Sequence, residues 1–169
     1  SGDTEATAAG KVLWEFTDAN LGYIYDAPTL VKTQAYGWVA LVASGYNNPG
    51  GKGYLYVLNP AAASKAGQLL KKIPLPGDTG IDTSPTGLST IRAFTSSRQN
   101  PYALQAYGGD LKGNVWRFDL SSPDAAQWKA ERIATLKDAA NKPQPITTGV
   151  RVEIDQNNNV DRYLFVGTG

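Results

Sequence analysis

The stretch Gly109-Asp110-Leu111-Lys112-Gly113-Asn114-Val115-Trp116-Arg117-Phe118-Asp119-Leu120 decides the reading of this chain, because an earlier segment, Gly53-Tyr54-Leu55-Tyr56-Val57-Leu58-Asn59, repeats its second half with different residues. Gly53 lies over Gly113, Tyr56 over Trp116, Leu58 over Phe118 and Asn59 over Asp119, a constant shift of 60 residues. Pro28, Pro85 and Pro145 keep nearly that interval, as do Gly10 and Gly67. Self-similarity at a period of roughly 20–50 residues marks solenoids and propellers, and a slightly longer period fits the same unit with lengthened loops.

Each unit divides into short β-prone runs separated by Gly, Pro, Asn and Asp, the pattern of strands joined by tight connections. Four runs fit per unit: 29–34, 38–43, 54–58 and 69–75 in the first, then 88–94, 103–107, 115–120 and 128–136 in the second. A third unit opens with 150–154 and 163–166, and 11–16 matches the fourth run of a unit preceding the first. Four strands per radial unit is the blade of a β-propeller. The expected fold class is therefore all-β, an incomplete propeller of four-stranded antiparallel blades with strands running from the inside of each blade outward. The expected organisation over 1–169 is the outer strand of a preceding blade at 10–21, blades at 28–76 and 85–138, and the start of a further blade at 145–169. A closed ring uses about four to eight blades, so a piece of a larger ring is expected, in accord with the absence of Met.

Alternation favours strands over helices. In 115–120, Trp116, Phe118 and Leu120 share one face while Val115, Arg117 and Asp119 share the other, a period of two. The aromatic position common to Tyr56 and Trp116 would fill the space between blades, where sheets pack about 10 Å apart. Asp110 and Gly113 bracket a turn, Asp bonding its own backbone and Gly accepting positive φ. The best helical candidates, 60–70 and 123–129, are short and lie between strands, so turns or single helical turns are expected there. The polar loop Ser44-Gly45-Tyr46-Asn47-Asn48-Pro49-Gly50-Gly51 reads as a hairpin connection or a contact surface. Trp14, Tyr163 and Phe165 would lie on sheet faces that neighbouring blades cover in a complete ring, and exposure is expected there.

Sixteen Lys and Arg against 15 Asp and Glu leave a net charge of +1, with the basic residues scattered, so no electrostatic footprint points to nucleic acid or a membrane, and no direct membrane insertion by this segment is expected. Zero Cys removes disulfide and thiolate chemistry from this segment, and zero His removes the Ser-His-Asp arrangement and the commonest general base and transition-metal ligand. No catalytic residue is expected.

Taken in order, Gly10-Lys11-Val12-Leu13-Trp14-Glu15-Phe16, Asp18, Leu21-Gly22-Tyr23, the loop from Ser44 to Asn48, the run from Gly109 to Leu120 and Phe165-Val166-Gly167-Thr168-Gly169 resemble the C-terminal β-propeller of PilY/PilC-type proteins, the tip-associated assembly factors and adhesins of bacterial type IV pili. That resemblance implies a non-catalytic, exported module at a pilus tip, cell surface, outer membrane or periplasm. Its implied partners are minor pilins or other pilus components and a host or abiotic surface. Two alternatives stay open. The Asp110-x-x-Gly113-Asn114-x-Trp116 pattern is also similar to the tryptophan-docking repeats of quinoprotein propellers, which implies a quinone-cofactor dehydrogenase; such an enzyme needs a metal and a carboxylate near the ring axis, and only 153–161 clusters oxygens. The other is an envelope assembly scaffold without an adhesive role.

Glu153, Asp155, Asn157, Asn159 and Asp161 place oxygen at every second residue, a pattern that suits calcium on a wrapped loop. Against the calcium loops of the resembled family, Glu153, Asp155, Asn157 and Asp161 would be side-chain ligands and Asn159 would offer its carbonyl. Glu stands at the first position and Asn158 at the turning position. A polar hairpin turn without metal is the alternative reading. No other cofactor is expected.

Overall fold

The computed structural model describes residues 12–61, 66–95, 100–155 and 162–169. Ten strands and one 3-10 turn occur among them. β1 (Thr29–Thr33), β2 (Gly37–Ala43), β3 (Tyr54–Leu58) and β4 (Leu69–Pro74) form one antiparallel sheet in sequence order, and β5 (Ile91–Thr95), β6 (Ala103–Gly109), β7 (Asn114–Asp119) and β8 (Lys129–Thr135) form a second. β9 (Arg151–Ile154) and β10 (Arg162–Phe165) pair as a hairpin. β1 contacts β5, and β5 contacts β9, so the first strand of each unit is the innermost and the sheets radiate as propeller blades.

The repeat-derived strands match these elements closely, with one instructive displacement. β5 begins at Ile91 instead of Leu88, because the Leu88 carbonyl accepts from Gly45 N–H of the preceding blade (3.1 Å) while its fully buried side chain enters the core. The 123–129 candidate is a single 3-10 turn, Ala125–Gln127, capped by the Asp124 carboxylate accepting from Ala126 N–H. Within 60–70, residues 62–65 lie outside the described residues.

The main core lies between the two complete blades. Val31, Val39, Leu41, Leu55, Val57 and Ile73 of the first face Ile91, Ala106, Trp116, Phe118 and Ala130 of the second. Ala103 joins the same core although it is three residues from Ala106, because a bulge at Leu104 shifts the register between Phe94 and Thr95 and turns the strand by one face. On β7 the alternation holds for its polar members. Arg117 bonds its cross-strand partner Glu131 at 2.5 Å, and Asp119 accepts from Ser121. Val115, on that same side, is buried.

Among the described residues, 12–16 lie in no strand, where the outer strand of a preceding blade is expected. Lys11 lies outside the described residues, and 12–17 make no ladder. Ladder formation needs a neighbouring strand's backbone groups, and here the segment is held by side chains instead. Trp14, Phe16 and Leu21 lie on the second face of the first blade, against Ala40, Val42, Tyr56 and Leu58, with the Phe16 and Tyr56 rings 5.3 Å apart. Trp14 is thus half-buried rather than exposed, whereas Tyr163 (52%) and Phe165 (57%) are exposed as expected. Tyr56 and Trp116 both face the chain-preceding side of their blades, which confirms their equivalence.

Asp18 fastens this segment. Its carboxylate accepts from Tyr56 Oη (2.9 Å), Lys72 Nζ (2.7 Å) and Asn20 N–H (2.8 Å). Burial works against its charge, but these donors outweigh it and hold the carboxyl below its ordinary value. A depressed folded-state value means that the contribution is present above the ordinary carboxylate range, near about 3.9, and is lost as pH falls through the folded value. Acidification from pH 5 toward pH 2 should therefore lower the protection factors of the Leu21 and Gly22 amides, that is, their protection relative to the intrinsic exchange rate at each pH. In Lys72→Met that acid-induced loss of protection should shrink, as read by hydrogen-exchange mass spectrometry. Among the described residues no helix is long and apolar enough to cross a membrane.

Candidate functional site

Two kinds of feature carry the site: the turns that lock each blade, and the cleft where successive blades converge. Asp110 is fully buried between β6 and β7. Its Oδ1 accepts from Lys112 N–H and Asn114 N–H, both at 2.9 Å, and its Oδ2 from Asn114 Nδ2 (2.9 Å) and the Trp116 indole Nε1 (2.8 Å). Gly113, at φ +75°, closes this turn where a Cβ would meet the Leu136 carbonyl at 2.6 Å. Burial pushes the Asp110 carboxyl up despite these four donors. Its backbone carbonyl accepts from Ile146 N–H (2.9 Å), which ties the second blade to the third. This carboxylate is therefore structural. In the first blade Ser44 holds the same place, its Oγ accepting from Tyr54 N–H at 3.1 Å, and the loop that follows is six residues longer than its counterpart.

That longer loop is more than a connection. Tyr46 bridges to Tyr23, and the Gly51 carbonyl accepts from Thr86 N–H at 2.7 Å, so the loop packs between the segment leading into β1 and the segment leading into β5. Asp78 pins the latter, accepting from Gly53 N–H and from the Thr86 hydroxyl.

Where these segments meet, ahead of β1, β5 and β9, lies a cleft of about 340 Å3. The first blade lines it with Tyr23, Ile24, Tyr25, Asp26 and Tyr46, the second with Ser89, Thr90 and Arg92, the third with Thr147, Thr148 and Gly149. Asp26 and Arg92 pair across it at 2.7 Å. The Arg92 guanidinium, against a smaller penalty from burial, holds the Asp26 carboxyl below its ordinary value. Burial raises the Tyr46 hydroxyl, only partly countered by its bond to Ser89. Tyr25 and Tyr46 lie 5.7 Å apart, tilted by 40°. A wider depression of about 620 Å3 lies near Tyr36, Lys71, Lys72 and Asp124.

The calcium candidates are divided. Glu153 pairs with Tyr163 in the β9–β10 hairpin, its carboxylate taken by Arg151 Nε (2.7 Å), and Asp155 accepts from Tyr163 Oη (3.4 Å). Asn157, Asn159 and Asp161 lie outside the described residues. Among the described residues no three His, Cys, Asp or Glu side chains gather as a metal would require. The sequence reading singled out the 44–51 loop and Tyr23, which do meet at the cleft, but passed over Asp26, Thr90 and Arg92. A weak signal was present in the polar residues just before each innermost strand.

A family profile described as the PilY1 beta-propeller domain matches residues 3–160. The chain belongs to the PilY1 β-propeller family. The crystal structure of the Pseudomonas aeruginosa PilY1 C-terminal domain superposes with a TM-score of 0.76 at 25% identity, over 90% of this chain and 33% of that one. The type IV pilus biogenesis factor PilY1 of Pseudomonas aeruginosa strain UCBPP-PA14 is 36% identical over 65% of this chain, and a PilY1 homolog of Xylella fastidiosa strain Temecula1 is 30% identical over 94%. The chain spans about a tenth of the length of these relatives, 9% and 12% respectively. Within PilY1 propellers, then, this chain supplies consecutive blades.

Proposed function

We propose that this chain is a non-catalytic propeller segment through which a type IV pilus biogenesis factor supports pilus assembly and attachment to surfaces. The observation that carries the reading is the agreement of 90% of the chain with the solved PilY1 C-terminal domain, together with relatives whose names assign them to pilus biogenesis. The non-catalytic role draws on the cleft chemistry. Asp26 is held ionised by Arg92 and Tyr46 is kept protonated by burial, so neither is poised to exchange a proton near neutral pH. Export to the pilus tip, cell surface or outer-membrane periphery, with minor pilins or other pilus components as partners, belongs to the same proposal.

The test is deletion of this propeller segment from the parent gene, with electron-microscopic counts of surface pili and an adhesion assay. Loss of pili or of attachment is expected. Normal piliation together with normal attachment would overturn the reading.

Calcium at Glu153, Asp155, Asn157, Asn159 and Asp161 is proposed on oxygen spacing alone. Calorimetric titration of the intact protein should give calcium heat that Asp155→Ala/Asp161→Ala abolishes. An unchanged isotherm would leave the segment a polar turn.

A further inference from the structure

The cleft ahead of the innermost strands carries binding capacity that blade assembly leaves unused. Thr90 Oγ1 is buried in its wall and, among the described residues, has no hydrogen-bond partner. Buried hydroxyls are almost always satisfied, so one left open at the wall of a cleft calls for a ligand or an ordered solvent molecule. Arg92 has a second open edge. Its Nη1 serves Asp26 and the Ile91 carbonyl, leaving Nε and Nη2 of a five-donor fork. That edge lies over Gly149, where an added Cβ would sit 3.3 Å from Nη2 and 3.4 Å from Nε. Glycine at 149 keeps the edge reachable from the cleft. On the opposite side Tyr25 is 80% exposed and leans on Tyr46, so an aromatic face is presented to the opening.

We propose that this cleft binds a neutral saccharide of one or two rings. The Arg92 charge is already met by Asp26, so the site offers donors and acceptors without net charge and does not favour an anion. Thr90 and the Arg92 edge provide the directional bonds that ring hydroxyls need, Thr148, whose hydroxyl donates to the Gly167 carbonyl, adds an acceptor, and the tyrosine faces accept the apolar face of a pyranose. A volume near 340 Å3 lies at the lower end of small-molecule sites, roughly 300–1,000 Å3. The binding site does not depend on the protein being an adhesin, since it is defined by the cleft alone.

Saturation-transfer difference NMR on the intact protein, with glucose, galactose, N-acetylglucosamine and lactose as probes and glucuronic acid as the charged comparison, tests the assignment. Saturation of at least one neutral sugar is expected. Tyr25→Ala removes an exposed ring and Thr90→Val replaces the open hydroxyl by a methyl of the same shape; each should weaken binding about tenfold or more while circular dichroism and melting temperature stay as in the parent. No saturation by any neutral sugar at tens of millimolar, saturation by glucuronic acid alone, or affinity unchanged in both variants would each overturn the proposal.

Discussion

Asp110→Ala is expected to lower stability by about 4 kcal/mol, read as a loss in urea-unfolding free energy and a fall in melting temperature of about 10 °C. The carboxylate satisfies four donors in a site with no access to solvent. Lys112 is only half-buried and its N–H can turn to water, but Asn114 N–H, Asn114 Nδ2 and Trp116 Nε1 would be left open, each costing roughly 1–3 kcal/mol. For a domain of this size about 1 kcal/mol corresponds to roughly 2–4 °C. Asp110→Asn separates shape from chemistry. It keeps one acceptor oxygen for the two backbone N–H groups but turns a donor toward Asn114 Nδ2 and Trp116 Nε1, so about half the loss should remain. A melting temperature unchanged in Asp110→Ala would show that this turn does not hold the blade.

Trp116→Ala is expected to cost about 3–5 kcal/mol, the range for truncating a buried aromatic. Trp116 is 2% exposed and packs into the core between the two complete blades, so the cavity would open at the interface where the strands cannot close up without separating the sheets. Trp116→Phe keeps most of the ring but deletes the indole donor to Asp110, and a smaller loss is expected. Because the two side chains share a bond, Asp110→Ala and Trp116→Ala should be non-additive in a double-mutant cycle, with a coupling of about 0.5–3 kcal/mol. A surface change such as Lys129→Ala should stay within about 0.5 kcal/mol. Equal melting temperatures for Trp116→Ala and Lys129→Ala would contradict the packing described here.

The Asp110 turn and the buried Trp116 were legible in the residues, and the reason is local, whereas the Asp110 bonds to Asn114 Nδ2 and Trp116 Nε1 came only with the structure. The Asp110 turn forms among residues no more than six apart in sequence, and the period-two alternation of β7 belongs to any strand with one face buried. For the same reason the four-strand blades, the inside-to-outside order and the equivalence of Tyr56 with Trp116 followed from a shift of 60 residues. The bulge at Leu104 did not, because its only sequence trace is an alternation that appears broken, with Ala103 and Ala106 on one face.

What the sequence by itself determined about this protein is the blade: strand runs, turn chemistry, the buried face of β7 and the family to which the repeat belongs. Tertiary structure alone decided how blades and segments meet. Residues 12–21 lie on the first blade without joining its ladder because Asp18 finds Lys72 and Tyr56, 54 and 38 residues away. Asp26 meets Arg92, and Thr90 and Gly149 come to one cleft, only because the innermost strands of successive sheets stand side by side. Neighbours in sequence write turns and alternation into the composition of a short window, whereas contacts across blades depend on sheet twist and packing accumulated over the whole chain, and no short window carries them.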